Sequence, residues 1–372
     1  MSHKTKWYNL KNIDTLDTPA LVIYQSRVKR NIEKIVDSID DITRLRPHIK
    51  THKTKEVTKL LQAAGIQKFK CATIAETELL ATCGVKDVLL AYQPVDIKLL
   101  RLIEIIQQFP ETHFACLVDS LSVAEEMSKI AIEKKIVLSL YIDLNVGMNR
   151  TGILPEKAFD LFIELQKLPA LKVEGLHGYD GHIHDADLEI RKQKCNDYFP
   201  SVEILAEKLV EKGFTNLKIV AGGTPTFPIH AQRKKVECSP GTFVFWDRGY
   251  QHLFQEQGFE TAALVISRVI SLPDKDKICL DLGHKSVAPE NPLERRVFFL
   301  NAPTATFIGQ SEEHLVLGVP ENHNYEIGDI FYGLPIHICP TVALHERAFI
   351  AENEELTGEE WKIAARDRKL NY

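Results

Sequence analysis

The sequence predicts an α/β protein in which a (β/α)8 barrel is followed by a C-terminal all-β domain. Strand-like apolar runs alternate with helical patterns up to about residue 250, which is typical of a parallel sheet. Beyond Tyr250 the pattern changes to short strands separated by turns. A chain of 372 residues, 44% of them hydrophobic, can form two cores. We predict a barrel domain at 26–249 and a β-domain at 250–372 that also includes the N-terminal strand within 1–25.

Each element follows from the periodicity of its segment. Eight apolar runs predict the barrel strands, at 44–50, 68–72, 87–91, 113–118, 137–144, 172–179, 217–221 and 236–245. Apolar residues at spacings of three and four predict helices at 53–64, 76–83, 97–108, 123–134, 156–168 and 188–212. The segment 222–235 is rich in Gly, Thr and Pro and predicts a loop. In the β-domain, strands are predicted at 262–272, 278–282, 296–300, 304–308, 314–317 and 330–332.

The composition excludes several classes of function. A formal net charge of −5 with both signs interspersed predicts no nucleic-acid partner and no anionic membrane surface. The polar N-terminus, Met1 to Leu16, is not a signal peptide and no segment is long enough to span a membrane, so we expect a cytoplasmic protein. The seven cysteines show no CxxC spacing and are expected to be reduced thiols.

Lys50 is the first candidate catalytic residue, because barrel enzymes work at the C-terminal ends of their strands and Lys50 ends the first strand. Burial disfavours the ammonium form of a lysine, and the free amine can form an imine with an aldehyde cofactor or a carbonyl substrate. The alternative is a surface lysine, since Lys53 and Lys55 follow at once.

The other strand ends also carry polar residues. Glycines with neighbouring hydroxyls follow the seventh and eighth strands, where barrels commonly bind phosphate. A strand-end lysine opposite a phosphate loop is the arrangement that pyridoxal 5'-phosphate (PLP) requires. His177, His182 and His184, after the sixth strand, could instead form a metal site. The strand-end candidates are Arg150, His177, Tyr179, Gly222, Gly223, Thr224, Gly241 and Thr242.

Four segments carry a resemblance to a known family. Gly147-Met148-Asn149-Arg150-Thr151-Gly152 resembles a signature of alanine racemases. More closely, Arg46-Pro47-His48-Ile49-Lys50-Thr51-His52-Lys53, Gly222-Gly223-Thr224-Pro225-Thr226 and Pro335-Ile336-His337-Ile338-Cys339-Pro340-Thr341 are together similar to the D-threonine aldolase and D-serine dehydratase branch of that superfamily. The resemblance implies an alanine racemase-like PLP-binding TIM barrel (fold type III) with a D-serine dehydratase-like β-domain.

The resemblance also implies roles for single residues. Lys50 matches the lysine that carries PLP, and Gly222, Gly223 and Thr224 match the phosphate loop. Gly241 and Thr242 fall where a further phosphate contact is expected, and His177 and Tyr179 lie in a segment that contacts the cofactor. Arg150 is expected to hold the substrate carboxylate or the cofactor. At Ser239 the sequence departs from alanine racemases, which place an arginine against the pyridine nitrogen. A homodimer with its active sites near the subunit interface is also implied.

His337 and Cys339 are the metal ligands that the resemblance implies. Residues two apart on a strand point to the same face, and a nitrogen with a thiolate sulfur suits Zn²⁺, with Mn²⁺ or Mg²⁺ as alternatives. Without the resemblance, the same pair would be interpreted as a core histidine near a buried thiol.

The resulting function is a PLP- and metal-dependent lyase acting on D-β-hydroxy-α-amino acids, most like a D-threonine aldolase. The nearest alternative is a D-serine dehydratase that releases a 2-oxo acid and ammonia. Cys339 favours this dehydratase, whereas the overall amino-acid sequence of the matching segments favours the aldolase. An amino-acid racemase and a non-catalytic PLP-binding protein are further alternatives. The non-catalytic relatives lack the β-domain and the His-x-Cys pair.

Overall fold

The computed structural model describes residues 6–372, and its strands and helices follow the predicted alternation. In chain order they are β1 (Ala20–Tyr24), α1 (Gln25–Asp37), α2 (Lys55–Ala63), β2 (Lys68–Cys71), α3 (Ile74–Thr82), β3 (Asp87–Leu90), α4 (Ile97–Gln108), β4 (His113–Val118), α5 (Leu121–Glu133), β5 (Leu138–Leu144), α6 (Pro155–Leu165), β6 (Leu171–Gly178), α7 (Leu188–Glu211), β7 (Lys218–Ala221), α8 (Phe227–His230), β8 (Val236–Cys238), α9 (Arg248–Leu253), β9 (Ala263–Asp274), β10 (Lys277–Leu280), β11 (Val297–Phe299), β12 (Thr306–Gln310), β13 (Leu315–Gly318), β14 (Ile330–Pro335), α10 (Ile338–Leu344), β15 (Arg347–Glu352) and β16 (Glu355–Lys362).

The chain divides into two compact units. The barrel unit comprises Ile35–Lys50, Val57–Gly241 and Asp367–Tyr372, and the β-unit comprises Thr51–Glu56, Thr242–Arg366 and the described residues up to Lys34. The domain limits expected from the sequence, 26–249 and 250–372 with 1–25, stay a prediction.

A seven-stranded parallel sheet, ordered β2 to β8, forms the barrel unit. The segment predicted as the first strand completes it without being a regular strand. Arg46 donates its backbone N–H to the Cys238 carbonyl at 2.9 Å, and Ile49 donates to the Lys70 carbonyl at 2.9 Å. The segment therefore pairs with β8 on one edge and with β2 on the other, and the predicted barrel class is confirmed.

Apolar side chains fill the barrel interior. Leu89, Ala115, Leu117, Tyr141 and Val220 form one buried cluster, contributed by β3, β4, β5 and β7. β5 is buried along its whole length, as expected for a parallel strand covered on both faces. Because parallel strands end at the same edge, this packing places the side chains that follow each strand at one mouth of the barrel.

The β-unit contains a nine-stranded, mostly antiparallel sheet. Its main order is β12-β13-β10-β9-β1-β15-β16, and β14 pairs with both β9 and β11. The sequence did not predict β15 and β16, which form a hairpin. Its turn residues, Asn353 and Glu354, have positive φ values of 51° and 64°. Two-residue turns of this conformation usually have the sequence Asn-Gly, and the glutamate in place of glycine gives no such indication of a hairpin.

Several predicted elements differ from the observed ones. The strand predicted at 236–245 ends at Cys238, and a short 3-10 helix at Thr242–Val244 follows it. The loop predicted at 222–235 contains α8, whose second residue is proline, which is favourable in a first helical turn. Among residues 6–372, no helix is both long enough and apolar enough to cross a membrane.

Candidate active site

Lys50 lies half-buried at the end of the segment that completes the barrel. Its Nζ is 5.6 Å from the centre of the Tyr179 ring, which follows β6. Lys70 Nζ lies at the same distance from that ring, and the Arg150 guanidinium carbon lies at 5.1 Å. The barrel mouth therefore gathers three cations around one aromatic ring, which makes it suited to an anionic ligand.

The glycine loop after β7 packs against the same tyrosine. A Cβ built on Gly223 would lie 3.2 Å from the Tyr179 ring, and one on Gly222, whose φ is +74°, would lie 2.7 Å from the His230 ring. Only glycine fits this approach without displacing a neighbour. Gly241 donates its backbone N–H to Thr224 Oγ1 at 3.0 Å, which ties the two predicted phosphate loops together.

His177 is held in the barrel by Asp143. Its Nδ1 is 2.7 Å from Asp143 Oδ1, and Thr151 Oγ1 donates to the other carboxylate oxygen at 2.8 Å. Burial lowers the pKa of His177, and the hydrogen bond with Asp143 only partly opposes this. Burial alone would raise the pKa of Asp143, but the hydrogen bond and charge of His177, the hydrogen bond from Thr151 and the charge of Arg150 together outweigh burial and lower this pKa. A neutral imidazole beside an ionised carboxylate donates from Nδ1, so Nε2 keeps its lone pair.

Asp180 is a buried carboxylate that supports the glycine loop through Thr226. His230 Nε2 lies at 2.8 Å, and the hydroxyls of Tyr198 and Thr226 each donate at 2.9 Å. Thr226 Oγ1 in turn accepts the backbone N–H of Gly223 at 3.3 Å. Burial raises the pKa of Asp180, but these donors, His230 first, leave it below its ordinary value. The carboxylate therefore fixes the hydroxyl that positions the loop.

The same cluster contains the one group of three metal-type ligands found within residues 6–372, namely Asp180, Cys195 and His230. These side chains already hydrogen-bond one another, since Cys195 Sγ also lies 3.7 Å from Asp180. The histidine cluster considered from the sequence does not form such a group. His182 instead packs its ring against Gly147, where a Cβ would lie 2.9 Å from Nε2.

The fit of PLP to this site can be tested on two buried atoms. His177 Nε2 and Ser239 Oγ have no hydrogen-bond partner among the described residues, and both residues are 3% exposed. Buried polar atoms normally have partners, so each of these atoms suits a polar ligand atom. With the cations and the glycine loop, they fit a phosphorylated, anionic aromatic aldehyde.

His337 and Cys339 come together in the β-unit, although not on a strand as the sequence predicted. β14 ends at Pro335, His337 is the residue that precedes α10, and Cys339 lies in the first turn. Burial lowers the pKa of His337, but the hydrogen bond and charge of Cys339, the charge of Asp247 and the hydrogen bond with Glu290 together outweigh burial and raise this pKa to about 9. The two side chains are therefore near enough to influence each other's charge, and both belong to the segment that connects β14 with the first turn of α10.

Other side chains of the β-unit surround this pair. His337 Nδ1 is 2.7 Å from Glu290 Oε1, and the Thr51 hydroxyl is 3.1 Å from Cys339 Sγ. Thr242, expected from the resemblance to contact phosphate, lies 3.6 Å from the same sulfur. The imidazole and thiol are a donor set that suits a zinc-type ion, and Glu290 is placed to orient the imidazole.

Lys70 and the supporting role of Asp180 were not predicted from the sequence. Lys70 lies in the predicted strand 68–72, where strict alternation places it on the face opposite Phe69, and that signal could have found it. The partners of Asp180 lie 18, 46 and 50 residues away in the chain, and no local pattern indicates them.

A strand-end lysine, a cation-lined mouth and a glycine loop define a barrel enzyme built to use PLP. Residues 23–248 match the family described as "Alanine racemase, N-terminal domain", and residues 262–351 match "Putative serine dehydratase domain". The chain belongs to the alanine racemase N-terminal domain family, as the resemblance predicted.

Individual relatives match over nearly the whole chain. D-threonine aldolase of Arthrobacter sp. is 24% identical over 94% of this chain and 93% of its own length, and D-threo-3-hydroxyaspartate dehydratase of Delftia sp. (strain HT23) is 24% identical over 88% and 92%. These relatives are lyases, which confirms the predicted enzyme class, and the family supports PLP as the cofactor.

Solved structures share the fold. D-threonine aldolase from Filomicrobium marinum superposes with a TM-score of 0.87 at 23% identity, covering 95% of this chain and 96% of that one. A cysteine-to-alanine variant of D-threo-3-hydroxyaspartate dehydratase, in its metal-free form, superposes with a TM-score of 0.83 at 22% identity, covering 94% and 98%.

Proposed function

We propose that the chain is a PLP- and metal-dependent lyase of D-β-hydroxy-α-amino acids, most like a D-threonine aldolase that converts D-threonine to glycine and acetaldehyde. The observation that carries the proposal is the barrel mouth, where Lys50 and the glycine loop both approach the ring of Tyr179. The full-length likeness to an aldolase and to a dehydratase supports lyase chemistry. A homodimer, implied by the resemblance, is part of the proposal.

Each predicted cofactor residue keeps its role in the proposal except Thr242, whose hydroxyl lies 3.6 Å from Cys339 Sγ. Lys50 provides the amine for covalent attachment, and Gly222, Gly223, Thr224 and Gly241 hold the phosphate. When bound, PLP supplies a ring that withdraws electrons from the substrate's Cα. The Ser239 hydroxyl, buried and unpaired, is the neutral partner for a ring nitrogen.

The residues around the Tyr179 ring differ in charge, and each has a different proposed role. His177, kept neutral by burial and oriented by Asp143, presents an Nε2 lone pair that accepts a hydrogen bond or a proton. Arg150 supplies a fixed positive charge beside Tyr179 for a carboxylate or a cofactor oxyanion. Tyr179 provides the apolar surface against which these groups are arranged.

His337 and Cys339 are the proposed metal ligands. A divalent ion bound there supplies a Lewis acid that lowers the pKa of a β-hydroxyl group. Glu290 accepts a hydrogen bond from Nδ1 of His337, so Nε2 is the nitrogen that would bind an ion. The soft thiolate favours Zn²⁺ over Mn²⁺ or Mg²⁺. The solved cysteine variant described above is a metal-free form of its enzyme, which supports the presence of a metal in this proposal.

A D-serine dehydratase is the second candidate, and two observations favour it. The thiol of Cys339 stands at the proposed metal site, and residues 262–351 match the putative serine dehydratase domain. Its reaction removes the α-proton, for which the Lys50 amine is the candidate base, and expels the β-hydroxyl. An amino-acid racemase or a non-catalytic PLP-binding protein would leave the His337–Cys339 pair without a role.

One assay separates these candidates. The purified protein, supplied with PLP and Zn²⁺ or Mn²⁺, is incubated with D-threonine and with D-serine. Glycine with acetaldehyde identifies the aldolase, and a 2-oxo acid with ammonia identifies the dehydratase. A racemase would instead yield the L-enantiomer with no carbon–carbon or carbon–nitrogen cleavage.

Two controls test the residue assignments. Lys50→Ala should abolish the visible absorbance of the protein-bound cofactor, whereas Lys59→Ala, which removes an exposed lysine of α2, should leave it unchanged. A chelator should remove turnover, and Zn²⁺ should restore it. Retention of the absorbance band in Lys50→Ala would exclude Lys50 as the attachment residue, and turnover unaffected by chelation would exclude the metal.

A further inference from the structure

Lys70 is a buried lysine that the proposed chemistry does not yet use. Only 2% of it is exposed, and its register partners are Leu89 on β3 and His48 on the other side. Leu89 belongs to the apolar cluster inside the barrel, and residues paired in register share a face of the sheet. The Lys70 side chain therefore lies inside the barrel, near its C-terminal mouth.

No carboxylate of the described chain forms an ion pair with Lys70. The nearest acidic groups act from a distance and already have partners, since Asp143 binds His177 and Asp180 binds His230. A buried ammonium group without a counter-ion is unfavourable, because desolvation is not repaid by an ion pair.

The charges that face Lys70 come from several elements of the barrel. Burial is the largest influence on its pKa, and the neighbouring Lys50 lowers the pKa further. Asp180 and Asp143 oppose this, while Arg46 adds to it, and the pKa of Lys70 falls to about 7. The Nζ of Lys70 also faces the Tyr179 ring, with Arg150 near the same ring, and its charge acts on His177.

We propose that Lys70 is an anion-binding residue of the active site, whose amine takes up a proton from solvent when an oxyanion of the cofactor or of the substrate enters the barrel mouth. The inference rests on the proposed function, because it assigns Lys70 to the same site. The proton forms an N–H bond on Nζ and no other bond changes. The bound oxyanion then supplies the counter-ion that the protein lacks.

The expected signal is a proton uptake that depends on Lys70. A group with a pKa near 7 that becomes fully charged takes up about 0.5 proton at pH 7 and about 0.9 proton at pH 8. Pyridoxamine 5'-phosphate is the probe for the cofactor oxyanion, because it binds without forming an imine with Lys50. Propionate added to the PLP-loaded protein is the probe for a substrate carboxylate.

The experiment is calorimetric titration of both probes in buffers of different ionisation enthalpy, with wild type, Lys70→Met, Lys70→Gln and Lys59→Met. Subtracting the proton uptake of a Lys70 variant from that of the wild type removes the contribution of the probe's own ionisation. We expect Lys59→Met to match the wild type, because Lys59 is exposed on α2. Both Lys70 variants should lose the 0.5 proton, and circular dichroism verifies that each is folded.

The two probes distinguish the source of the oxyanion. A Lys70-dependent uptake with pyridoxamine 5'-phosphate assigns Lys70 to the cofactor, and one seen only with propionate assigns it to the substrate. Equal uptake in wild type and both Lys70 variants, for both probes, overturns the proposal while leaving the PLP site intact. A wild-type protein that binds neither pyridoxamine 5'-phosphate nor PLP would instead overturn the proposed function.

Discussion

Replacing Asp180 by alanine should destabilise the barrel unit and weaken cofactor binding together. The carboxylate is 1% exposed and accepts hydrogen bonds from His230, Tyr198 and Thr226 at 2.8–2.9 Å. Its removal takes away the acceptor that these three buried donors share, and only Tyr198 and His230 still lie within hydrogen-bond distance of each other, at 3.2 Å. It also frees the Thr226 hydroxyl, which accepts the N–H of Gly223 in the glycine loop.

The magnitude follows from the number and type of bonds lost. A hydrogen bond to a charged group contributes about 1.5–3 kcal/mol, and removing one partner of a buried ionic pair costs about 3–5 kcal/mol. The three donors relax together, so their contributions are not additive. We expect the free energy of unfolding to fall by about 4 kcal/mol for Asp180→Ala and by about half as much for Asp180→Asn, whose amide keeps one acceptor oxygen.

The stability difference between wild type and Asp180→Ala should also depend on pH. The pKa of Asp180 is lower in the folded protein than its ordinary value of about 3.9, so the carboxylate stabilises the fold above that pH. The difference between wild type and Asp180→Ala should therefore stay constant from pH 6 to 8 and shrink as the pH falls through about 4 and below.

Urea unfolding followed by circular dichroism measures the stability, and the change in cofactor absorbance measures PLP affinity, which we expect to fall about tenfold. The matched control is Asp160→Ala, an exposed aspartate of α6, which should change the unfolding free energy by less than about 0.5 kcal/mol. A loss below about 1 kcal/mol for Asp180→Ala, with unchanged PLP affinity, would refute the assignment of Asp180 as the support of the loop.

Three further substitutions test the barrel. Gly175→Ala places a Cβ 2.2 Å from the Lys218 carbonyl oxygen, so we expect loss of folded protein in solubility and circular dichroism measurements; Gly309→Ala, with nothing within 4 Å, should behave as wild type. Arg46→Met, which leaves the Asp87 carboxylate without its ion pair and leaves Glu237 with Lys68 alone, should lower the urea-unfolding free energy by about 3–5 kcal/mol, and a cost below about 1 kcal/mol would contradict the pairing. Lys70→Met should stabilise the cofactor-free protein by up to about 4 kcal/mol at pH 6, because the folded pKa of about 7 lies below the unfolded value of about 10.4. That gain should shrink as the pH rises from 7 towards 10, and a gain independent of pH would show that the fold does not lower the pKa of Lys70.

Much of the barrel could be predicted because its determinants are local. Apolar runs such as β5 and amphipathic helices such as α4 encode their structure in their own periodicity. Once the strands are counted, the topology alone places Lys50 and the glycine loop at one edge. The short helix α8 was missed because its four residues are too few to show a period.

The parts that could not be predicted depend on contacts distant in sequence or on competing local signals. His337 and Cys339 alternate with isoleucines, which indicates a strand, yet Pro340 follows at once, and proline is favourable in the first turn of a helix. The proline determines the outcome, because its fixed φ suits α10 and its missing N–H would weaken a sheet. Lys70 illustrates a different limit, since its burial without an ion pair is visible only when the barrel is complete.

The charge distribution of the barrel mouth leads to one prediction about loading with cofactor. Asp143 and Asp180 are already engaged by His177 and His230, whereas Lys50, Lys70 and Arg150 form no ion pair within residues 6–372.

An anionic ligand should therefore relieve repulsion among these cations as well as contribute its own contacts. At a concentration of PLP 100 times its dissociation constant, binding adds about 2.7 kcal/mol of stability, which corresponds to about 5–10 °C in the melting temperature of a unit of this size. Differential scanning calorimetry of the protein with and without PLP measures this shift. Since Lys70→Met starts with less repulsion, its shift at the same PLP concentration should be smaller, and an equal or larger shift would contradict the role of Lys70 in this repulsion.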